Sequence, residues 1–163
     1  MSDADYQKIL DDKVDKLGQN GEGRHWFVAT KNTLKPLMKR GIVTSVSDGN
    51  IGVQNGNSSN YGYTFDTGNG EVYTFVTKST INDINGIGTD VILHEGRHQI
   101  DLLAGITDQT TLELNAYGVN IANPTNSSSV QSAIHGLVND PTIDQSRVTN
   151  FLDNKFGTGN WHP

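Results

Sequence analysis

The chain contains no cysteine. Disulfide staples, thiolate nucleophiles and cysteine-type structural zinc sites are therefore excluded, and any bound metal must be held by histidine and carboxylate oxygen. Apolar residues make up only 34% of the sequence, and no run approaches the roughly 20 residues that a membrane-spanning helix needs. Basic residues are outnumbered, with 12 Lys and Arg against 18 Asp and Glu. A formal charge of -6 argues against a nucleic-acid surface, so neither a nucleic-acid partner nor a membrane span is expected. The N-terminus lacks the basic-then-apolar layout of a signal peptide. The compartment stays open: the cytoplasm, or export as a domain of a longer protein. What the chain does have is glycine, 18 residues of it in 163, which predicts many loops around a single domain spanning residues 1–163.

Only five histidines are present, and two of them stand four apart in the segment VILHEGRHQIDLL, residues 91–103. On an α-helix, four residues turn through about 400°, so His94 and His98 share one face one turn apart. Neutral imidazole suits a borderline-soft divalent ion such as Zn2+, and two imidazoles supply half of a tetrahedral shell. Glu95 adjoins the first ligand, where its carboxylate can take a proton from water without ligating the metal. Gly86 and Gly88 break the chain before this segment, Thr89 or Asp90 offers a cap, and Gly105 is a stop signal. Two histidines in so apolar a stretch need partners, which argues against a helix with two chance surface histidines.

Elsewhere the pattern is mixed. Ile9, Leu10, Val14 and Leu17 predict an amphipathic helix ended by Gly18, and a second short helix is expected over residues 33–38 with Pro36 in its first turn. The run at 25–28 is ambiguous. From 42 to 78 the chain reads as strand, with hairpin signals at 48–50 and 66–70. Thr107-Asp108 offers a cap for a helix over 111–122, Val130, Ile134, Leu137 and Val138 fall at helical spacing, and Asp140-Pro141 has the form of a last helix start. The tail from Gly157 reads as irregular. The triplets at Asn57 and Asn126 fit the glycosylation pattern but read as loop chemistry.

A catalytic zinc usually has three protein ligands and an open position. Glu113 is the leading third candidate, fifteen residues beyond His98 on a returning helix, with Ala116 one turn on to permit close approach. Asp101 shares the histidine face but lies about 10 Å along the axis from His94, a better position for orienting His98 than for ligating. Asp108 lies in the turn, where capping is its natural job. For an oxyanion donor the candidates are Tyr117 and His135, with His162 less well placed; His25 and Arg97 read as structural.

HEGRH followed by ELNAY resembles the gluzincin type of zincin metallopeptidase, over roughly residues 91–120. That resemblance implies an α+β fold: a small antiparallel sheet packed on the HExxH helix, a following helix supplying Glu113, and further C-terminal helices. It also implies an edge strand that pairs with an extended peptide. Where many gluzincins place an Asp four residues beyond the ligand Glu, this chain has Tyr117. The LHEGRHQIDLLAG context resembles metallopeptidase-type toxin domains of bacterial secreted effectors, which implies a peptide or protein substrate and a cognate immunity protein. Two rival readings are a metal-binding interaction module without catalysis and a zinc amidase acting on a cell-wall or other non-protein amide.

Overall fold

The computed structural model describes residues 1–54 and 60–162, so Asn57 lies outside the described residues. Helix α1 (Asp3–Lys16) opens the chain, and a reciprocal capping box between Ser2 and Asp5 fixes its start. Leu10 and Val14 form its buried face, as their spacing predicts. The ambiguous run becomes strand β1 (Arg24–Val28). A short helix α2 (Lys35–Lys39) carries Pro36 in its first turn. Strands β2 (Val43–Val46) and β3 (Ile51–Val53) then pair antiparallel across the 48–50 turn. The second hairpin pairs β4 (Gly62–Asp66) with β5 (Val72–Val76), Tyr63 opposite Phe75. Four helices complete the chain after the short α3 (Lys78–Asn82): α4 (Ile87–Leu103), α5 (Gln109–Ala122), α6 (Ser129–Val138) and α7 (Gln145–Phe156).

The class is α+β, with a small sheet and several helices. The main sheet has the order β1-β5-β4, and it is mixed where an antiparallel one was expected. β4 runs antiparallel to β5, but β1 runs parallel to it, Trp26 opposite Thr74 and Val28 opposite Val76. Parallel neighbours need a long crossover, and here the chain between β1 and β5 provides one, carrying α2, both strands of the small hairpin, and β4. Alternation along a strand reports its buried face but not its partner's direction, which is why this was not legible in the sequence.

Three apolar clusters hold the molecule together. One face of the sheet meets α1, α3 and α4 through Leu10, Val14, Trp26, Val28, Val76, Ile81 and Ile92. The opposite face, through Phe75, packs on Leu34, Leu37, Val43 and Ile51. The third cluster joins α5, α6 and α7. α4 is also tied to the sheet by a polar network behind the histidines. Gln99 is fully buried; its amide donates to the Thr74 hydroxyl and the His25 carbonyl, and its oxygen accepts from Arg24 Nε at 2.8 Å. Each of these buried polar groups is thereby satisfied, and the helix is held in one rotation against both β1 and β5.

Several boundaries differ from the sequence-based expectation, and four of them have a clear cause. Strand ends at Val76, because the Thr77 side chain caps α3 by accepting from the Thr80 amide. α4 starts at Ile87, ahead of Thr89 and Asp90, because the Asp83 carboxylate accepts from the Ile87 amide and satisfies a first-turn donor. The last helix does not start at Asp140-Pro141. Asp140 instead turns back on Thr142 two residues later, and Asp144 is the cap, accepting from the Ser146 and Arg147 amides. Nor is the tail loose at Trp161, which packs into the third cluster and donates from Nε1 to Asp153 at 2.7 Å. No helix among the described residues is long and apolar enough to cross a membrane.

Two measurements check these assignments. Trp161→Ala should cost about 3–5 kcal/mol in denaturant unfolding, the range for a large aromatic removed from a core; an unchanged midpoint would return the tail to irregular structure. Asp108 caps α5, and hydrogen bonds from the Thr111 hydroxyl, Arg147 and the Thr111 amide hold its pKa down at about 2, from 3.8. A depressed carboxylate stabilises the fold above its unfolded pKa and loses that contribution as pH falls through the folded one. The Tm gap between wild type and Asp108→Ala should therefore be full near neutrality and close as pH drops from about 4 to about 2.

Candidate metal centre

His94 and His98 project from one face of α4, their ring centroids 4.8 Å apart and nearly perpendicular. The chain then turns through Gly105, at φ +85°, and α5 returns along α4. Cross-helix bonds pair Asp101 with Asn115 and His98 with Glu113 near the turn, and His94 and the Asp90 carbonyl with Asn120 farther from it, so the two helices run antiparallel. Ala116 is completely buried at this interface, where a small side chain permits close approach. Glu113 Oε1 lies 2.9 Å from His98 Nε2, and Glu113 Oε2 lies 3.7 Å from His94 Nε2.

One ligand atom from each of His94, His98 and Glu113 falls within 4.8 Å of the others, and no fourth His, Cys, Asp or Glu joins them among the described residues. Ligand atoms about 2.0–2.1 Å from a tetrahedral ion stand roughly 3.3 Å apart, so the three are spaced to hold one. Both competitors for the third position are engaged elsewhere. Asp101 accepts from Arg97 Nε and from Asn115 Nδ2, each at 3.0 Å, and so joins α4 to α5 instead of hydrogen-bonding His98. Asp108 is the α5 cap.

The protonation pattern suits a ligand set. Burial, reinforced by the neighbouring His98, pulls His94 down to about 4, so its imidazole is neutral at pH 7. Asn120 decides which nitrogen carries the proton. Its Nδ2 donates to the Asp90 carbonyl at 2.9 Å, leaving Oδ1 to accept from His94 Nδ1 at 3.0 Å. The lone pair of His94 is then on Nε2, the atom facing Glu113. Burial opposes a charge on His98, but the Glu113 hydrogen bond and the charges of Glu95, Glu113 and Asp101 outweigh it and raise its pKa. Burial likewise raises Glu113, and the two histidines more than reverse that. The His98–Glu113 pair shares a proton that a cation bound between them would replace.

Asn120 was not singled out in the sequence. It lies seven residues beyond Glu113, two turns along the same face of α5, where its side chain orients His94. Helical spacing counted from Glu113 would have found it.

Glu95 is 6% exposed, and its Oε2 is a buried polar atom with no hydrogen-bond partner among the described residues. Burial above all raises its pKa, to about 7. It stands 4.0 Å from His98 Nε2. Gly62 of β4 lies directly against it: a Cβ there would sit 2.9 Å from Val91 Cγ1 and 3.0 Å from Glu95 Cγ. An orphaned carboxylate beside three converging ligand atoms is costly in a folded protein unless something binds there.

Tyr117 packs edge-on to His94, centroids 4.4 Å apart, and a Cβ on Gly136 would strike its phenol at 2.5 Å. Its hydroxyl makes no hydrogen bond among the described residues, and burial followed by the nearby carboxylates raises its pKa, keeping it protonated. His135 is not part of the group. It is exposed on α6, bonded to Asn139, and lines a separate pocket with Trp161 and His162. His25 pairs with Glu71, also away from the site.

No protein-family model matches the chain, and no curated protein or solved structure matches it either. What the site can do must therefore be read from its own geometry. The group opens into a cleft of about 1140 Å³ lined by β4, α4, α5 and the start of α6. β4 is an edge strand, and its outer side pairs with no other strand among the described residues.

Replacing Asn120 by Ala removes the acceptor that orients His94 without touching the ligand atoms. Divalent-metal affinity should fall about 10- to 100-fold while the circular dichroism spectrum is kept. Unaltered affinity in a competition titration would show that His94 is held by packing alone.

Proposed function

We propose that the chain is a zinc-dependent peptide hydrolase of the zincin type, with His94, His98 and Glu113 as the metal ligands and Glu95 as general base. The observation that carries this reading is the unpartnered, buried Glu95 carboxylate beside a His, His, Glu group that faces a cleft. Two imidazoles and one carboxylate form a ligand set of catalytic zinc, and a shell of three protein ligands leaves room for a reactant. Zinc held there would supply a water of near-neutral pKa and polarise the scissile carbonyl.

The protein's own groups do the rest. Glu95, with a pKa raised toward neutrality by burial, takes the proton of the attacking water and passes it to the leaving amine. Gly62, by having no side chain, leaves the Glu95 carboxylate its place beside His98. Tyr117 keeps its phenolic proton and has no acceptor among the described residues, so it is the donor available to the developing oxyanion. The free side of β4 offers backbone groups to an extended polypeptide, which favours peptide over a small amide as substrate. The three-ligand group also favours catalysis over an interaction module, since a structural zinc would call for a closed shell of four.

Glu95→Gln should keep one zinc per chain and lose about 10²–10⁴-fold in kcat against a mixed peptide substrate. His94→Ala should lose both zinc and turnover. Metal analysis beside a cleavage assay reads both outcomes, and full activity in Glu95→Gln would overturn the assignment.

A further inference from the structure

The charges around the cleft are one-sided. Asp66 at the end of β4, Asp83 just after α3, Asp90 in the first turn of α4, and Asp140 after α6 all line it, in addition to Glu95 and Glu113. Not one of the chain's lysines or arginines does. None of the four aspartates lies within ion-pairing distance of a basic side chain, and every charged residue of the sequence falls among the described residues. Of the twelve lysines and arginines, four are ion-paired away from the cleft, Lys8 with Asp12, Lys78 with Asp3, Arg97 with Asp101 and Arg147 with Asp108; Arg24 lies behind α4, and Arg40 stands over the Phe65 ring, 5.4 Å from its centroid.

Asp90 and Asp140 are held in place. The Asp90 oxygens accept from the Thr125 and Ser129 hydroxyls, and Asp140 Oδ1 accepts from the Thr142 amide at 2.8 Å. These neutral donors orient the carboxylates without cancelling their charge. Asp66 and Asp83 are exposed at two places on the rim, where exposed Tyr61 and Ile87 add apolar surface. The same cleft contains the unpartnered buried oxygen of Glu95, an independent sign that it is built to receive a ligand.

Resting on the peptide-hydrolase reading, we propose that the cleft selects polypeptide segments with lysine or arginine flanking the scissile bond, Asp66, Asp83, Asp90 and Asp140 acting as counter-charges. A pocket lined by one sign of charge with low-dielectric walls focuses its field, concentrates oppositely charged substrates and repels like-charged ones. The single bound zinc would offset part of this negative charge at the centre, leaving the rim aspartates to discriminate.

The test uses three peptides with the same apolar centre, flanked by Lys, Gln or Glu. With zinc-loaded wild type at low ionic strength, kcat/KM for the Lys peptide should exceed that for the Glu peptide by about tenfold or more. The ratio should shrink as salt approaches about 1 M, where screening acts over roughly 3 Å. Asp66→Asn combined with Asp83→Asn should lower it mainly through KM. Binding of the same peptides to zinc-loaded Glu95→Gln separates the two readings. Equal cleavage of all three peptides, or a preference for Glu, overturns the charge selection and leaves the hydrolase standing. Selective binding of the Lys peptide with no cleavage by wild type supports the selection and removes the hydrolase. Neither binding nor cleavage overturns both.

Discussion

Two helices pressed side by side force four titratable groups, His94, Glu95, His98 and Glu113, into one largely buried place, and the rest of the molecule is arranged around that contact. Such a concentration is unfavourable on its own terms, because each ionised group loses hydration. It is tolerated because the groups compensate one another: Glu113 sits 2.9 Å from His98, and His94 stays neutral with its Nδ1 proton held by Asn120. Among the buried side-chain polar atoms of the described residues, only Glu95 Oε2 is left without a hydrogen-bond partner. The supporting structure serves to make the contact reproducible. Ala116 sets its closeness, Asp101 bonded to Asn115 locks its register, and Gln99 fixes the rotation of α4 against the sheet. A cation between the ligands would take over the compensation that the shared proton now provides.

The sheet contributes in a different way. It supplies little surface of its own to the reactive groups, yet it decides how they are approached. β5 is central and covered on both faces, whereas β4 lies at the edge with the cleft beside it. Gly62 joins the two, since the strand can come against α4 only where there is no side chain to displace Val91 and Glu95. The wall, the base and the ligands are thus coupled by packing. The excess of acid over base in the composition becomes local at this point: the cleft is lined by carboxylates and by no lysine or arginine.

Legibility in the sequence followed the range of the interactions involved. His94 and His98 at four-residue spacing, Asp108 as a cap, Pro36 in a first turn and the 48–50 hairpin all depend on contacts within a few positions, and all are found where expected. Misses arose where two local signals competed or where the partner was remote. Asp140-Pro141 and Asp144 both have the chemistry of a helix start, and only the folded chain shows that the first makes a turn and the second the cap. Trp161 looked like tail because its partner Asp153 and the cluster that receives it belong to other turns of the chain. His135 has the chemistry of a catalytic donor but sits in a different pocket.

By itself, the sequence determined the chemistry available: no thiol, few histidines, two of them one helical turn apart with a carboxylate between, and an excess of acid. Those are properties of residue identity and of the 3.6-residue period, which hold before any long-range contact forms. Tertiary structure alone decided that Glu113 and not Asp101 or Asp108 completes the group, that Asn120 sets the His94 tautomer, and that β1 lies parallel to β5. Each of these depends on how elements distant in sequence meet, and that is governed by which packing buries the three apolar clusters together while leaving the fewest polar groups unpaired.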